Sequence, residues 1–112
     1  MIDENQILDE VARVFHMTRR DLEGRRRTQH IAFARHVAMY LIRENTGMSF
    51  PTIGYVLNRD HSTVIHGCAR IRHRVLADSS FAATIERIED GILRPYVTPW
   101  EQRTEFERGC LA

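Results

Sequence analysis

The chain has 112 residues, of which 43% are hydrophobic and 28% are charged, a balance that supports one small domain with a modest core. Its longest purely apolar runs last only a few residues, so no segment is predicted to span a membrane. The first ten residues carry four acids and no base, unlike a basic and apolar signal peptide, which favours a cytoplasmic protein.

The net charge of +1 conceals an uneven distribution of charge along the chain. Residues 1–10 carry a net −4, residues 11–74 a net +8 and residues 75–112 a net −3. A basic middle between acidic ends is typical of a protein that binds a polyanion; the alternative is a solvated surface of mixed charge. All sixteen bases are arginines, which suit phosphates and base edges, although a GC-rich genome gives the same bias without a functional cause.

The sequence contains two cysteines, Cys68 and Cys110. Cys68 falls within an apolar helical stripe, whereas Cys110 lies in the polar C-terminal segment. Two reduced thiols are therefore expected rather than a disulfide.

Helical spacing of apolar residues recurs from the N-terminus onward, without a sustained strand pattern or a hairpin signal. A first amphipathic helix, with acids in its opening turn, is predicted from Ile7, Leu8, Val11, Val14 and Phe15. Thr18 and Asp21 form a Thr-x-x-acid pair in the style of a capping box. This pair predicts a short second helix that ends at Gly24.

A long third helix is predicted to start after the cap Thr28 and to end at Gly47, which can take the left-handed conformation. Its inner face consists of Ile31, Ala34, Ala38, Leu41 and Ile42. Ser49 is predicted to cap a short fourth helix that contains Pro51 in its first turn and stops near Asn58. The inner face of this fourth helix consists of Ile53, Val56 and Leu57.

Asp60 is predicted to cap a fifth helix, whose buried stripe consists of Val64, Cys68, Ile71 and Val75. Its opposite face is polar or small and carries Ser62, His66, Ala69, Arg70 and His73. A sixth helix is predicted to begin at Ser79 or Ser80 and to end before Pro95. The inner face of this last helix consists of Phe81, Ile85, Ile88 and Ile92.

The predicted fold class is therefore an all-α domain of five or six helices that occupies residues 1–94. Residues 95–112 lack clear periodicity and are interpreted as a C-terminal tail, either docked through Tyr96 and Trp100 or mobile.

The short fourth helix, a tight turn and the longer fifth helix together have the sequence pattern of a helix-turn-helix. In that motif the first residues of the second helix enter the major groove of DNA. The helix N-terminus is electropositive, and Asp60 can accept a hydrogen bond from a cytosine amino group. His61, Ser62 and Thr63 are short enough to let the backbone approach the base edges.

The segment SFPTIGYVLNRDHSTVIHGCAR, residues 49–70, resembles the signature of the C-terminal DNA-binding domain of the bacterial replication initiator DnaA. The resemblance extends upstream through VARVFHMTRRDLEGRRRTQHIAFARHVAMYLIRENTG and covers roughly residues 7–93. It implies an all-α, Trp-repressor-like helix-turn-helix fold. It also implies binding to a short nonpalindromic box in double-stranded DNA, in replication initiation or its regulation.

The resemblance implies a role for each matching residue. Asp60, His61, Ser62 and Thr63 would read bases in the major groove, and Arg27 would enter the adjacent minor groove. The positions that lie in or near the surface that contacts the DNA backbone are Arg25, Arg26, Thr28, Arg35, Phe50, Pro51, Arg59, His66 and Arg70.

The sequence also departs from the pattern of that family. Asn58 alone stands where two glycines are usual, which makes the turn one residue shorter, and asparagine tolerates the left-handed region. Ser62 replaces threonine, Phe33-Ala34 replaces Arg-Pro, and Ala69 replaces a basic residue, so weaker phosphate contacts and a shallower salt dependence are expected. No G-x-x-x-x-G-K-[ST] motif occurs, so no nucleotide partner is expected; as a complete protein, the chain would bind DNA without using ATP.

Two chemical alternatives have weaker support. His61, His66, Cys68 and His73 do not follow a known zinc spacing, and Cys68 and His66 belong to opposite faces of the predicted helix. Ser, His and Asp are adjacent at a helix start without the strand-to-helix elbow of a hydrolase. We therefore expect no metal, no cofactor, no catalytic residue and no enzymatic activity.

Three functional alternatives stay open. The same fold could serve a transcriptional regulator. It could also be a protein-interaction module that uses its acidic N-terminus or its C-terminal tail. Finally, the sequence could be the excised end of a longer initiator. Asp60 itself could act as a helix cap, as a base reader or as both.

Overall fold

The computed structural model describes residues 2–93, and in this range the chain consists of helices and their connections, without a strand. The helices are α1 (Glu4–Val14), α2 (Arg19–Glu23), α3 (Gln29–Thr46), α4 (Phe50–Leu57), α5 (His61–Ala77) and α6 (Ser79–Leu93). The expected all-α fold with a helix-turn-helix is confirmed. The expected tail at residues 95–112, with Tyr96, Trp100 and Cys110, lies outside the described residues. Over residues 2–93, every helix is too short or too polar for a membrane crossing.

Side-chain caps set where the helices begin. The predicted caps are all present, namely Thr18, Thr28, Ser49 and Asp60. Helix α6 begins at Ser79, but its cap is Asp78, whose carboxylate accepts from the backbone N–H groups of Ser80 at 3.0 Å and Phe81 at 3.2 Å. Each cap satisfies N–H groups that have no partner inside the helix and contributes about 1 kcal/mol to stability.

Helix α3 is the centre of the fold and packs against α1, α2, α4 and α5, while α6 covers α1 and α5. The residues of the predicted inner faces form or pack against one hydrophobic core, except Ile31, which is buried outside this cluster. Among the predicted inner residues, those at the edge of this core are half-buried, namely Val14, Phe15, Val56 and Val75. The α3–α5 contact is close because Gly67 has no side chain: a Cβ there would lie 2.9 Å from both His36 Cδ2 and Met39 Sδ.

The turn between α4 and α5 spans residues 58–60. Asn58 takes the left-handed conformation at φ 57° and ψ 46°, as expected for the shortened turn. The backbone N–H of Arg59 then donates to the carbonyl of Gly54 at 2.7 Å. With Val64 and Ile71 buried in the core, this turn leaves the N-terminus of α5 at the surface.

Candidate nucleic-acid interface

The first turn of α5 is open to solvent. The side chains of Asp60 and His61 are 64% and 59% exposed, and Ser62 and Thr63 are exposed as well. Further along the same helix, His66 and Arg70 are also exposed. The polar face predicted for α5 is thus free for contact along its N-terminal half.

Asp60 serves as the cap of α5. One carboxylate oxygen accepts from the Ser62 backbone N–H at 3.1 Å and from the Ser62 hydroxyl, and the other lies 3.7 Å from His61 Nδ1. The hydrogen bond from the Ser62 hydroxyl, followed by that from its N–H, lowers the pKa of Asp60 below its ordinary value. Asp60 therefore stays an anion and a hydrogen-bond acceptor at neutral pH.

A loop of four residues, Gly24–Arg27, lies beside the helix-turn-helix; we call it the arginine loop. The side chains of Arg25, Arg26 and Arg27 are exposed. Arg25 and Arg27 line a cleft of about 430 Å³ together with Asn58, Arg59 and Asp60. The fold thus brings the arginine loop next to the start of α5, although more than thirty residues separate them in sequence.

Arg59 connects the two parts of this surface. Its guanidinium donates to the Asn58 carbonyl at 2.8 Å within the turn and to the Gly24 carbonyl in the arginine loop. Partial burial, and secondarily the positive charge of Arg27, lowers the pKa of Arg59 from its ordinary value. An arginine so placed keeps its charge, and a phosphate in the cleft would relieve the repulsion between the two cations.

The structure corrects the expectation for Arg35. This side chain is only 5% exposed, so it does not form part of the surface that could contact a DNA backbone. Its Nε donates to the Leu22 carbonyl at 2.7 Å, and a terminal nitrogen donates to the carbonyls of Asp21, Gly24 and Arg26. Burial, more than the nearby charge of Arg59, lowers the pKa of Arg35.

The remaining predicted residues lie at helix starts. Thr28 is exposed and caps α3, with its hydroxyl accepting from the Ile31 N–H at 3.4 Å. Pro51 is exposed at the start of α4, whereas Phe50 is half-buried beneath the guanidinium of Arg43, 4.4 Å from its ring centroid. Phe50 could therefore offer only part of its ring and its backbone to a ligand.

Sequence reasoning did not single out Tyr55. Its side chain is 88% exposed and lines an open cleft of about 700 Å³ with Gly54, Asn58, Arg59 and Asp60. A signal was available, because Tyr55 lies on α4 between the inward-facing residues Ile53 and Leu57. An aromatic residue on the outer face of such a short helix is a candidate contact residue.

Phe33 occupies a position where the resemblance implies a basic residue. In this chain its ring packs against Phe15 and Phe81, at centroid distances of 5.9 and 5.8 Å. The guanidinium of Arg74 lies 5.2 Å from the centroid of Phe33 and 4.4 Å from that of Phe81. Phe33 thus contributes to packing between α3 and α6 and has no charge for a phosphate.

The histidines and the cysteine of α5 do not meet in one place, and within residues 2–93 no group of three or more His, Cys, Asp or Glu side chains could hold a metal ion. Cys68 is a free thiol buried on the inner side of α5, while His66 on the same helix is exposed. Burial raises the pKa of the Cys68 thiol to about 11, so it stays protonated at neutral pH.

An exposed helix start, capped by an acid and flanked by an arginine-rich loop on an all-α scaffold, defines a helix-turn-helix DNA-binding domain. The chain belongs to the family of the bacterial dnaA protein helix-turn-helix, whose model matches residues 5–71. This membership confirms the resemblance noted in the sequence.

Several relatives named chromosomal replication initiator protein DnaA match most of this chain. The chromosomal replication initiator protein DnaA of Caldanaerobacter subterraneus subsp. tengcongensis is 40% identical over 86 residues, which are 77% of this chain and 19% of that protein. The proteins of the same name from Tropheryma whipplei and Roseiflexus castenholzii are 38% and 39% identical over 93 and 92 residues. These matches cover 83% and 81% of this chain and 20% and 19% of the relatives. The chain therefore spans about a fifth of the length of these relatives.

Proposed function

We propose that this chain binds double-stranded DNA sequence-specifically, at a short initiator-type box, and acts in replication initiation or its regulation. The observation that carries the proposal is one continuous surface. Asp60, at the open start of α5, lines a single cleft together with Arg25 and Arg27 of the arginine loop, and the exposed residues 61–63 follow directly after it.

Electrostatics supports the approach of this surface to DNA. The N-terminus of the 17-residue helix α5 carries a partial positive charge, and Arg25, Arg27 and Arg59 line the neighbouring cleft. Exposed arginines at this density attract a phosphate backbone whatever its sequence, so they supply affinity and orientation.

Base reading falls to the side chains at the start of α5. Asp60 keeps an ionised carboxylate that can accept from a cytosine amino group, while His61 and Thr63 are exposed beside it. Ser62 already donates its hydroxyl proton to Asp60, so its oxygen is best placed to accept a hydrogen bond from DNA. We propose that Arg27 projects from the arginine loop into the minor groove next to this contact.

The alternative of a protein-interaction module, which would bind a partner through its acidic N-terminus or its C-terminal tail, has less support. Three of the N-terminal acids are already used inside the domain: Asp3 caps α1, Asp9 pairs with Arg19 at 3.1 Å, and Glu10 pairs with Arg13. The proposal covers DNA binding alone.

The test is duplex binding across a salt series, with an initiator-type box and a scrambled box of equal length. We expect tighter binding to the box and a linear fall of log affinity with log salt for both duplexes. Equal affinity for the two duplexes at every salt concentration would overturn sequence specificity, and weak binding without salt dependence would favour the protein-interaction alternative.

Two variants separate base reading from helix capping. His61→Ala should reduce the preference for the box by about 1–3 kcal/mol. Asp60→Ser keeps a side chain that can cap α5 but removes the carboxylate that can accept from a cytosine amino group, so it should reduce the preference for the box while the protein stays folded. His73→Ala is the matched control: His73 is an exposed histidine more than three helical turns beyond His61 on α5, and this variant should keep the wild-type preference.

A further inference from the structure

Four backbone carbonyl groups point toward the buried guanidinium of Arg35. Its guanidinium donates 2.7–3.2 Å hydrogen bonds to the carbonyls of Leu22, Asp21, Arg26 and Gly24. The acceptors belong to the end of α2 and to the arginine loop. Since the loop carbonyls face inward to this charge, the side chains of the loop are left on the outer surface.

The Gly24 carbonyl accepts from two different arginines. Arg35 reaches it from α3 at 3.2 Å, and Arg59 reaches it from the turn that precedes α5. Arg59 also donates to the Asn58 carbonyl at 2.8 Å, which fixes its own guanidinium within the turn. A continuous chain of hydrogen bonds thus connects α3, the arginine loop and the helix-turn-helix.

Close packing restricts the loop at the same residue. A side chain on Gly24 would place its Cβ 2.7 Å from the backbone carbonyl oxygen of Arg20 in α2. The loop therefore leaves α2 by a path that only glycine allows. Together with the two arginines, this path gives the four-residue loop one position relative to the start of α5.

We propose that Arg35 and Arg59 are positioning residues, which clamp the Gly24 carbonyl so that the arginine loop and the start of α5 meet DNA as one rigid unit. This inference rests on the proposed function, although its structural part concerns the free protein. Arg35 acts through the loop and does not touch DNA. Arg59 combines this role with a place in the cleft.

Limited trypsin digestion of the free protein tests the clamp without DNA, because trypsin cuts after arginine and the loop contains three. In Arg35→Lys the charge stays, but a single ammonium cannot span four carbonyls. Cleavage after residues 25–27 of the folded variant should be at least about tenfold faster than in the wild type, since local opening exposes the loop. Arg43→Lys is the matched control, since Arg43 also donates from α3 to a carbonyl, that of Met48, and should leave loop cleavage unchanged.

A double-mutant cycle tests the consequence for binding. Arg35→Lys should weaken binding to the box about ten- to a hundredfold, the effect of losing charge-assisted hydrogen bonds. In the Arg25→Ala/Arg27→Ala background the same substitution should cost at most about threefold, because the loop side chains that it positions are absent. Equal costs in both backgrounds, or unchanged loop cleavage, would overturn the inference.

Two outcomes need separate interpretation. If Arg35→Lys does not fold, Arg59→Lys takes its place, because Arg59 lies at the surface of the turn. Faster cleavage of the arginine loop is again expected. Unchanged cleavage in this variant would overturn the clamp. If the wild-type protein shows no preference for the box, the proposed function fails, but trypsin digestion still decides whether the two arginines fix the loop.

Discussion

Gly54 and Arg59 are in direct backbone contact: the Arg59 N–H donates to the Gly54 carbonyl at 2.7 Å, and the Arg59 carbonyl oxygen occupies the space where a Gly54 side chain would be. Gly54→Ala should therefore lower the free energy of unfolding by about 1–3 kcal/mol, despite the higher helix propensity of alanine. Urea denaturation measures the change. Gly91→Ala in α6 is a suitable comparison, since its Cβ would meet only the flexible end of Glu10 and should cost less.

Asn58 has the left-handed conformation that closes the turn before α5. Asn58→Ala should lower the free energy of unfolding by about 1 kcal/mol, because alanine pays a steric cost at positive φ. Asn58→Gly should lie within about 0.5 kcal/mol of the wild type, since glycine adopts this conformation freely. Equal stabilities of the alanine and glycine variants in urea denaturation would contradict this account.

Arg26 is exposed in the arginine loop, and its charge is available to a phosphate. Arg26→Ala should weaken binding to box and scrambled duplexes about equally and reduce the slope of log affinity against log salt by about 0.9. Arg87→Ala on α6 is the control and should leave the slope unchanged. It removes the same charge from a different place, a cleft between α1 and α6 that Glu10 and Arg13 also line. A selective loss on the box alone would instead make Arg26 a base reader.

His36 is half-buried between α3 and α5, where its ring packs over Gly67. Burial, and then the charges of Arg70 on α5 and Arg35 on α3, lowers the pKa of His36 below its ordinary value. The unfolded chain therefore takes up a proton more readily, so this histidine should cost stability as the pH falls through about 6.5, the ordinary pKa. In thermal unfolding between pH 7.5 and 5, the loss of stability on acidification should be smaller for His36→Gln than for the wild type. Parallel curves of stability against pH for the two proteins would exclude His36 as the cause.

The Cys68 thiol is buried, and its pKa is raised to about 11. In a Cys110→Ser background, its reaction with an aromatic disulfide at pH 8 should be about a hundredfold slower in the folded protein than in denaturant, because the thiolate is the reactive species. Absorbance of the released thiol follows the rate. A folded-state rate close to that of the unfolded chain would show that the thiol is accessible.

The helices could be predicted from sequence because their signals are local. Each predicted cap lies within three residues of the N–H group that it accepts from, and the apolar spacing identified the buried stripe of α5. That periodicity does not explain the exposure of Asp60 and His61, which precede Val64 by four and three residues on the side of the buried stripe; they are exposed because they stand at the end of the helix, beside the turn. Asp78 was not predicted as the cap of α6 because Ser79 and Ser80 follow it directly, and serine also favours the cap position.

The role of Arg35 could not be predicted in the same way. It shares the inner face of α3 with Ile31 and Ala38, at steps of four and three residues, which places it in the core by spacing alone. Burial of a cation is costly unless its donors find acceptors, and here these are carbonyls nine to fourteen residues away. The path of the short arginine loop fixes the positions of these carbonyls. The periodicity of apolar residues in the sequence does not predict that path.

The buried stripe of α5 has a consequence for how this surface can evolve. Val64, Cys68 and Ile71 set the rotation of α5 about its own axis, so the residues that face outward do not depend on the number of residues in the preceding turn. A lineage can gain or lose a residue between α4 and α5 and still present the same side chains. Changes in loop length and changes in target preference are thus separable mutational events in this domain.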